Sequence, residues 1–394
     1  MIVRLRNYAN HQEALAEWAR LGLPKVAEGQ KDLYDLMFFF AESLRKQEVE
    51  ELAFVTEELG GDAYRFGGHG VTRAMLVFEH GVLQSPGCRL APDDRLQPLW
   101  GSLSNYLSPE VAPWRLASRE VKLNRPLVMG ILNVTPDSFS DGGLYLSKEE
   151  AVRRGLEMIE QGADMVDVGG ESTRPYADPV TETMELGRVV PVVQELASRS
   201  PVPISVDTRH PEVARAALEA GAEIVNDVSG LCDPRMVEVV SEARAGVVLM
   251  HMLGDPRTMQ DRPSYEDVVG DISLFLEERM REAIGSGVEE RAIMLDPGIG
   301  FGKSVEHNLQ IIMRLREFRC LGRPLLIGAS RKGFIGKVLG QEAKDRKEGS
   351  LAVASVAMMN GANVLRVHDV KETTMVARMV DAVHRAQLSS SDLR

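Results

Sequence analysis

Cysteine is scarce. Cys88, Cys232 and Cys320 are the only three in 394 residues, too few and too widely spaced for a disulfide framework or a zinc cluster. An excess of positive charge is missing as well. Lys+Arg 46 against Asp+Glu 58 gives a net charge of −12, so no global basic field exists to hold nucleic acid. Long hydrophobic runs are absent: the apolar stretch around Leu36–Ala41 falls far short of the roughly 20 residues a membrane span requires. Met1-Ile2-Val3-Arg4 leads into a charged segment with no signal-peptide pattern. Hydrophobic residues at 44% and charged residues at 26% exclude a disordered or fibrous chain. The expectation is a reduced, soluble, cytoplasmic protein with no nucleic-acid or membrane partner.

The length allows one large α/β domain with a smaller companion. Trp18, Trp100 and Trp114 all precede residue 115, and from Pro126 onward short apolar runs alternate with helical patterns. This shift divides the chain into a small α+β extension over residues 1–120, read as a packing or assembly unit, and a larger domain over 121–394. In the extension, Met1–Leu5 and Ala74–Val77 read as strands. Asn10 suits the N-cap of a helix through Arg20. Asp32–Arg45, Gln47–Leu59 and Asp93–Tyr106 show helical spacing.

The larger domain predicts strands at Leu127–Leu132, Met165–Val168, Ile204–Val206, Ile224–Asn226, Val247–Met250, Ile293–Leu295, Leu325–Ile327 and Val364–Val367. Most are apolar throughout, as buried parallel strands must be. Helical patterns lie between them, such as Lys148–Gln161, Pro211–Ala220, Tyr265–Gly285 and Ser304–Phe318, with Lys371–Gln387 after the last. Gly162-Ala163-Asp164, Gly221-Ala222-Glu223 and Gly361-Ala362-Asn363 each end a helix ahead of a strand, where glycine takes the left-handed conformation that turns the chain back. Eight such units predict a (β/α)8 TIM barrel. A doubly wound open sheet stays open as the alternative, because strand order is not written in the sequence.

In a barrel the site forms at the C-terminal ends of the strands, and all eight ends here carry polar residues. Asp207, Asp296 and Asn226 suit a flat heterocycle bearing amino and ring N–H donors, with Lys332 as a donor to its carbonyl or ring nitrogen. Arg366 and His368 share one strand face and, with Arg174, suit phosphate or diphosphate. Asn133 is a hard oxygen ligand suited to Mg²⁺ shared with phosphate oxygens. Arg209 and His210 lead a helix and read as structural, as does the Lys303…His307 pair. His251 stands between structure and function.

These segments resemble the dihydropteroate synthase family, from about Pro126 to His384 and in chain order. Leu132-Asn133-Val134-Thr135-Pro136-Asp137-Ser138-Phe139-Ser140-Asp141-Gly142-Gly143 and Gly169-Gly170-Glu171-Ser172-Thr173-Arg174-Pro175 carry the likeness. Ser205-Val206-Asp207-Thr208, Asn226-Asp227-Val228, Asp296-Pro297-Gly298-Ile299-Gly300-Phe301, Ser330-Arg331-Lys332 and Arg366-Val367-His368-Asp369-Val370 complete it. The resemblance implies condensation of 6-hydroxymethyl-7,8-dihydropterin diphosphate with 4-aminobenzoate, with sulfonamides as mimics of the latter. It implies a pterin pocket of Asp207, Asn226, Met250, Asp296, Phe301 and Lys332. It also implies diphosphate contacts from Asn133, Thr173, Arg366 and His368, with Mg²⁺ on Asn133. Two mobile loops carrying Asp137, Phe139, Thr173, Arg174 and Pro175 would close over 4-aminobenzoate, with Lys332 and Gly333 beside it. Asp207, Asp296, Lys332, Asp137 and Arg174 are the expected catalytic residues, and a homodimer is the implied assembly.

One position departs from the family pattern. Gly333 stands where many members carry a serine that helps place the 4-aminobenzoate carboxylate, so its backbone N–H is left to do so. Two other readings share the pterin pocket. A methyltetrahydrofolate-dependent methyltransferase has no diphosphate to bind, which Asn133, Arg366 and His368 argue against. A non-catalytic pterin-binding protein should have lost pocket residues, and only the serine is replaced.

Overall fold

The computed structural model describes residues 2–6, 36–44, 46–58, 61–66, 72–79, 101, 102, 104–106, 108, 111–134, 147–171, 180–254 and 259–391. The chain forms two compact units, one of Met1–Pro109 with Glu317–Gly322, the other of Glu110–Arg316 with Arg323–Arg394. Residues 110–120 therefore pack with the larger unit.

In the smaller unit, β1 (Ile2–Arg6), β2 (Leu36–Leu44), β3 (Asp62–Phe66) and β4 (Thr72–Glu79) form an antiparallel sheet in the order β1-β2-β4-β3. The helix α1 (Lys46–Glu58) follows β2. The helical expectation for Asp32–Arg45 is wrong over β2. Phe38, Phe39, Phe40 and Ala41 are all buried in succession, and β2 lies between two strands. An aromatic run buried on consecutive residues fits a central strand, not a helix with one wet face. The expected helix from Asn10 to Arg20 lies outside the described residues, as does most of Asp93–Tyr106.

The larger unit is a barrel of eight parallel strands: β7 (Leu127–Asn133), β8 (Met165–Gly169), β9 (Ile204–Asp207), β10 (Ile224–Asp227), β11 (Gly246–Met250), β12 (Ile293–Asp296), β13 (Leu326–Ile327) and β14 (Val364–Val367). The sheet order is β12-β11-β10-β9-β8-β7-β14-β13, and a parallel bridge between Leu295 and Leu325 closes it. Closure removes the open-sheet alternative.

The helices around the barrel are α2 (Lys148–Glu160), α3 (Glu182–Arg199), α4 (Pro211–Glu219), α5 (Pro234–Ala243), α6 (Val268–Gly285), α7 (Val305–Met313), α8 (Gly333–Leu339), α9 (Lys347–Met359) and α10 (Val370–Ser391). The pattern read through Phe318 as one helix breaks after Met313 into a tighter 3-10 segment, Leu315–Leu321. Gly162, Gly221 and Gly361 adopt φ of +100°, +106° and +101°, the left-handed turn expected at these helix ends.

A short hairpin, β5 (Trp114–Arg115) with β6 (Glu120–Val121), packs at the N-terminal end of the barrel. Trp114 and Leu116 are fully buried there against Leu127, Met165, Ile224 and Val364, the first residues of four strands. The Trp114 indole N–H donates to the Ala292 carbonyl at 2.7 Å. That end is filled with apolar side chains, which leaves the polar chemistry to the other. Among the described residues no helix is long and apolar enough to cross a membrane.

Candidate active site

Strand register places the first group of side chains. Asn133, Gly169 and Asp207 lie side by side at the ends of β7, β8 and β9. A Cβ at Gly169 would stand 3.7 Å from Asn133 Oδ1 and 3.6 Å from Asp207 Oδ2, so the glycine keeps open a small cradle between the two oxygens. Asp207 continues the row to Asn226 on β10.

Below this row lies Asp167, fully buried on β8. Its Oδ2 accepts from Arg366 Nε at 2.6 Å and from Asn226 Nδ2 at 3.0 Å. Arg366 spans to Asp207, where Nη2 donates to Oδ2 at 2.5 Å. Because a carboxylate only accepts, the Asn226 amide is fixed with its nitrogen toward Asp167, and its Oδ1 remains an acceptor for a ligand N–H. Asp167 is a residue to which the sequence analysis assigns no role.

The other half of the site comes from β11, β12 and the start of α8. Asp296 Oδ1 accepts from the Gly298 N–H at 2.7 Å. Val228, Met250, Met259 and Phe301 form an apolar cluster beside it. The Lys332 ammonium stands 3.9 Å from the centre of the Phe301 ring. A Cβ on Gly300, whose φ is +83°, would press on the Lys332 stem at 3.2 Å. Lys303, read as structural, buries its ammonium 3.0 Å from His251 Nδ1 and 2.9 Å from the Phe301 carbonyl. His307 closes a capping box with Ser304. Lys303 thus ties the segments following β11 and β12 together, and His251 takes a structural place.

Burial dominates the electrostatics. It raises Asp207 to about 7, with Arg366 opposing. Asp296 rises to about 6, again by burial, opposed by the Gly298 N–H and by Lys332. Lys332 falls to about 8 through burial and the neighbouring Arg366. Burial also pulls the Arg366 guanidinium down, but Asp167 and Asp207 more than offset this and its pKa is raised. His368 falls to about 4 through burial and Arg366, so its imidazole is neutral at pH 7. Its Nδ1 lies 3.0 Å from Ser330 Oγ, which also accepts from the His368 backbone N–H at 3.2 Å.

Asn133, Asp207, Asn226, Met250, Asp296, Phe301, Lys332, Arg366 and His368 therefore sit on or just past the C-terminal ends of seven strands, and Gly333 opens α8 with its Cβ direction free. Asp137, Phe139, Thr173, Arg174 and Pro175 lie outside the described residues. Arg209 forks onto both oxygens of Glu171 at 3.1 Å each, and His210 Nδ1 lies 2.7 Å from Glu185 Oε2. Glu171, Glu185 and His210 converge closely enough for a cation, but the Arg209 guanidinium already occupies Glu171.

The pterin binding enzyme family model matches residues 129–368. Dihydropteroate synthase of Escherichia coli K12 is 48% identical over 265 residues, covering 67% of this chain and 94% of that protein. The crystal structure of Xanthomonas albilineans dihydropteroate synthase with 4-aminobenzoic acid is similar with a TM-score of 0.65 and 46% identity, over 69% of this chain and 99% of the other. The same enzyme in complex with 7,8-dihydropteroate gives 0.63 and 43%, over 69% and 99%.

Proposed function

The chain belongs to the pterin-binding enzyme family, and from that membership we infer a transferase that condenses 6-hydroxymethyl-7,8-dihydropterin diphosphate with 4-aminobenzoate to give 7,8-dihydropteroate and diphosphate. The observation that carries this reading is the pairing, in one barrel mouth, of a carboxylate and carboxamide group (Asp207, Asn226, Asp296) with a cationic group (Lys332, Arg366). The first set accepts from the amino and ring N–H groups of a pterin, while Lys332 donates to its carbonyl side. Phe301 and Met250 wall the ring. Arg366 and His368 face the diphosphate, Arg366 as the cation and His368 as a neutral imidazole.

Asn133 fits Mg²⁺. Its side chain makes no hydrogen bond to a described residue, its Oδ1 borders the cradle at Gly169, and Mg²⁺ is commonly held by one or two protein oxygens together with substrate phosphates. Bound there, Mg²⁺ supplies charge neutralisation to the departing diphosphate. The protein's own contribution is positional and electrostatic. Arg366 and His368 stabilise the leaving group as negative charge collects on it. Asp207 and Asp296 stabilise the positive charge left on the pterin methylene. The aromatic amine of 4-aminobenzoate then attacks that carbon and releases a proton, so no protein nucleophile is needed. In this reading Asp137, Phe139, Thr173, Arg174 and Pro175 belong to the 4-aminobenzoate side, with Lys332 and Gly333.

The assembly in this reading is a homodimer. Met313 on α7, Met359 on α9, and Met375 and Met379 on α10 are exposed by 58%, 47%, 57% and 65%, apolar surface that a second copy would cover. The free thiols of Cys232 and Cys320 accord with a reducing cytoplasm. Incubation of the protein with both substrates and Mg²⁺, followed by mass spectrometry, tests the activity. Dihydropteroate is the expected product, and its absence from a folded protein that still binds pterin would contradict the reading.

A further inference from the structure

Arg366 has two carboxylate partners of unlike kind. Asp207 stands in the row of strand ends, 8% exposed, and is a residue the pterin itself needs. Asp167 lies two residues earlier along β8, in register with Ile131 and Ser205, with no exposure at all. Its Oδ2 collects both Arg366 Nε and Asn226 Nδ2, while its Oδ1 is buried without a hydrogen-bond partner among the described residues. Arg366 Nη2 engages Oδ2 of Asp207, the carboxylate that a pterin would approach in the reading above. Asp167 is fully buried, and Arg366 and Asn226 both hold its Oδ2.

We propose that Asp167 is a positioning residue for diphosphate departure: the fixed anchor that keeps Arg366 Nε in place while the pterin takes Asp207 and frees the outer guanidinium nitrogens for the diphosphate. This rests on the activity inferred above. The same Asp167 oxygen sets the Asn226 amide, so one buried atom links the pterin-reading and diphosphate-reading sides of the site. Asp207 is the exchangeable partner and Asp167 the permanent one. With the Asp167 charge removed, Arg366 settles on Asp207 and withholds both groups from the substrate.

The test is a double-mutant cycle read as the dissociation constant of dihydropterin diphosphate. The isosteric Asp167→Asn should weaken binding by roughly 30-fold or more in the wild-type background and by about threefold or less in an Arg366→Ala background. Equal fold-losses in both backgrounds would overturn the proposal. A second readout needs no variant: a crystal structure of the full-length protein with dihydropterin diphosphate. It should show Arg366 Nε still on Asp167 and Nη2 departed from Asp207. Arg366 detached from Asp167 would overturn the proposal independently of how the variants fold. Wild-type protein that binds dihydropterin diphosphate yet forms no dihydropteroate would sink the inferred activity instead, and the binding cycle would still decide the role of Asp167.

Discussion

The ammonium of Lys332 stands 3.9 Å from the centre of the Phe301 ring, a cation held against an aromatic face at the edge of the pterin pocket. Gly300 makes room for the Lys332 stem, and Lys303 holds the Phe301 carbonyl from below. A flat ring entering beside Phe301 therefore meets a preplaced donor. Lys332→Ala should raise the dissociation constant for pterin by about tenfold or more and bring turnover close to background. Equilibrium binding and steady-state kinetics on the variant check this, and unchanged kinetics would refute the placement.

The pH dependence follows from three shifted groups. Asp296, near 6, and Asp207, near 7, offer the pterin N–H groups charged acceptors on both oxygens only when ionised, so affinity should weaken as pH falls through that range. Lys332, near 8, loses its positive charge as pH rises past that value. The profile of kcat/KM for dihydropterin diphosphate should thus climb between about pH 6 and 7 and decline above about 8. A profile flat from 5.5 to 9 would show that these groups do not govern binding.

Gly298 combines a φ of +71° with a Cβ direction that runs into the His251 carbonyl oxygen, and its N–H fixes Asp296. Alanine there brings left-handed strain of about 1–2 kcal/mol together with a clash against backbone. Gly298→Ala should lower unfolding stability by more than about 2 kcal/mol and weaken pterin binding. Urea denaturation with parallel binding measurements tests it; an unshifted midpoint would contradict the geometry.

Gly333 offers the opposite case, because a Cβ there meets nothing within 4 Å. Gly333→Ser should change stability by less than about 0.5 kcal/mol. With a hydroxyl beside Lys332, the KM for 4-aminobenzoate and the inhibition constant of a sulfonamide should both fall several-fold, while the KM for dihydropterin diphosphate holds. Kinetics with each substrate varied in turn would expose an effect on the wrong one.

Much of the barrel is legible in the sequence. Val225 and Val247 sit in short strands that open on apolar residues because both faces are covered, and a polar residue, Asp227 or His251, stands at or just past the end of each. β2 was not legible as a strand, since Phe38–Phe40 is apolar at every position and fits either period. The β5–β6 hairpin is two residues a side, too short to show alternation.

In the site, residues at strand ends announce themselves by interrupting an apolar run at a βα junction. Asp167 does not, since it sits within β8, and its partner Arg366 is 199 residues away in sequence. Only closure of the sheet, with β14 beside β7 and β7 beside β8, brings the two together. The contact between Lys303 and His251 likewise depends on β11 and β12 being neighbours.

Diphosphate release from dihydropterin diphosphate in the presence of Mg²⁺, followed with and without 4-aminobenzoate, tests the condensation most directly. Release that depends on 4-aminobenzoate, with one dihydropteroate formed for each diphosphate, is the predicted result. Release that ignores 4-aminobenzoate, or tight pterin binding with no release at all, would contradict it.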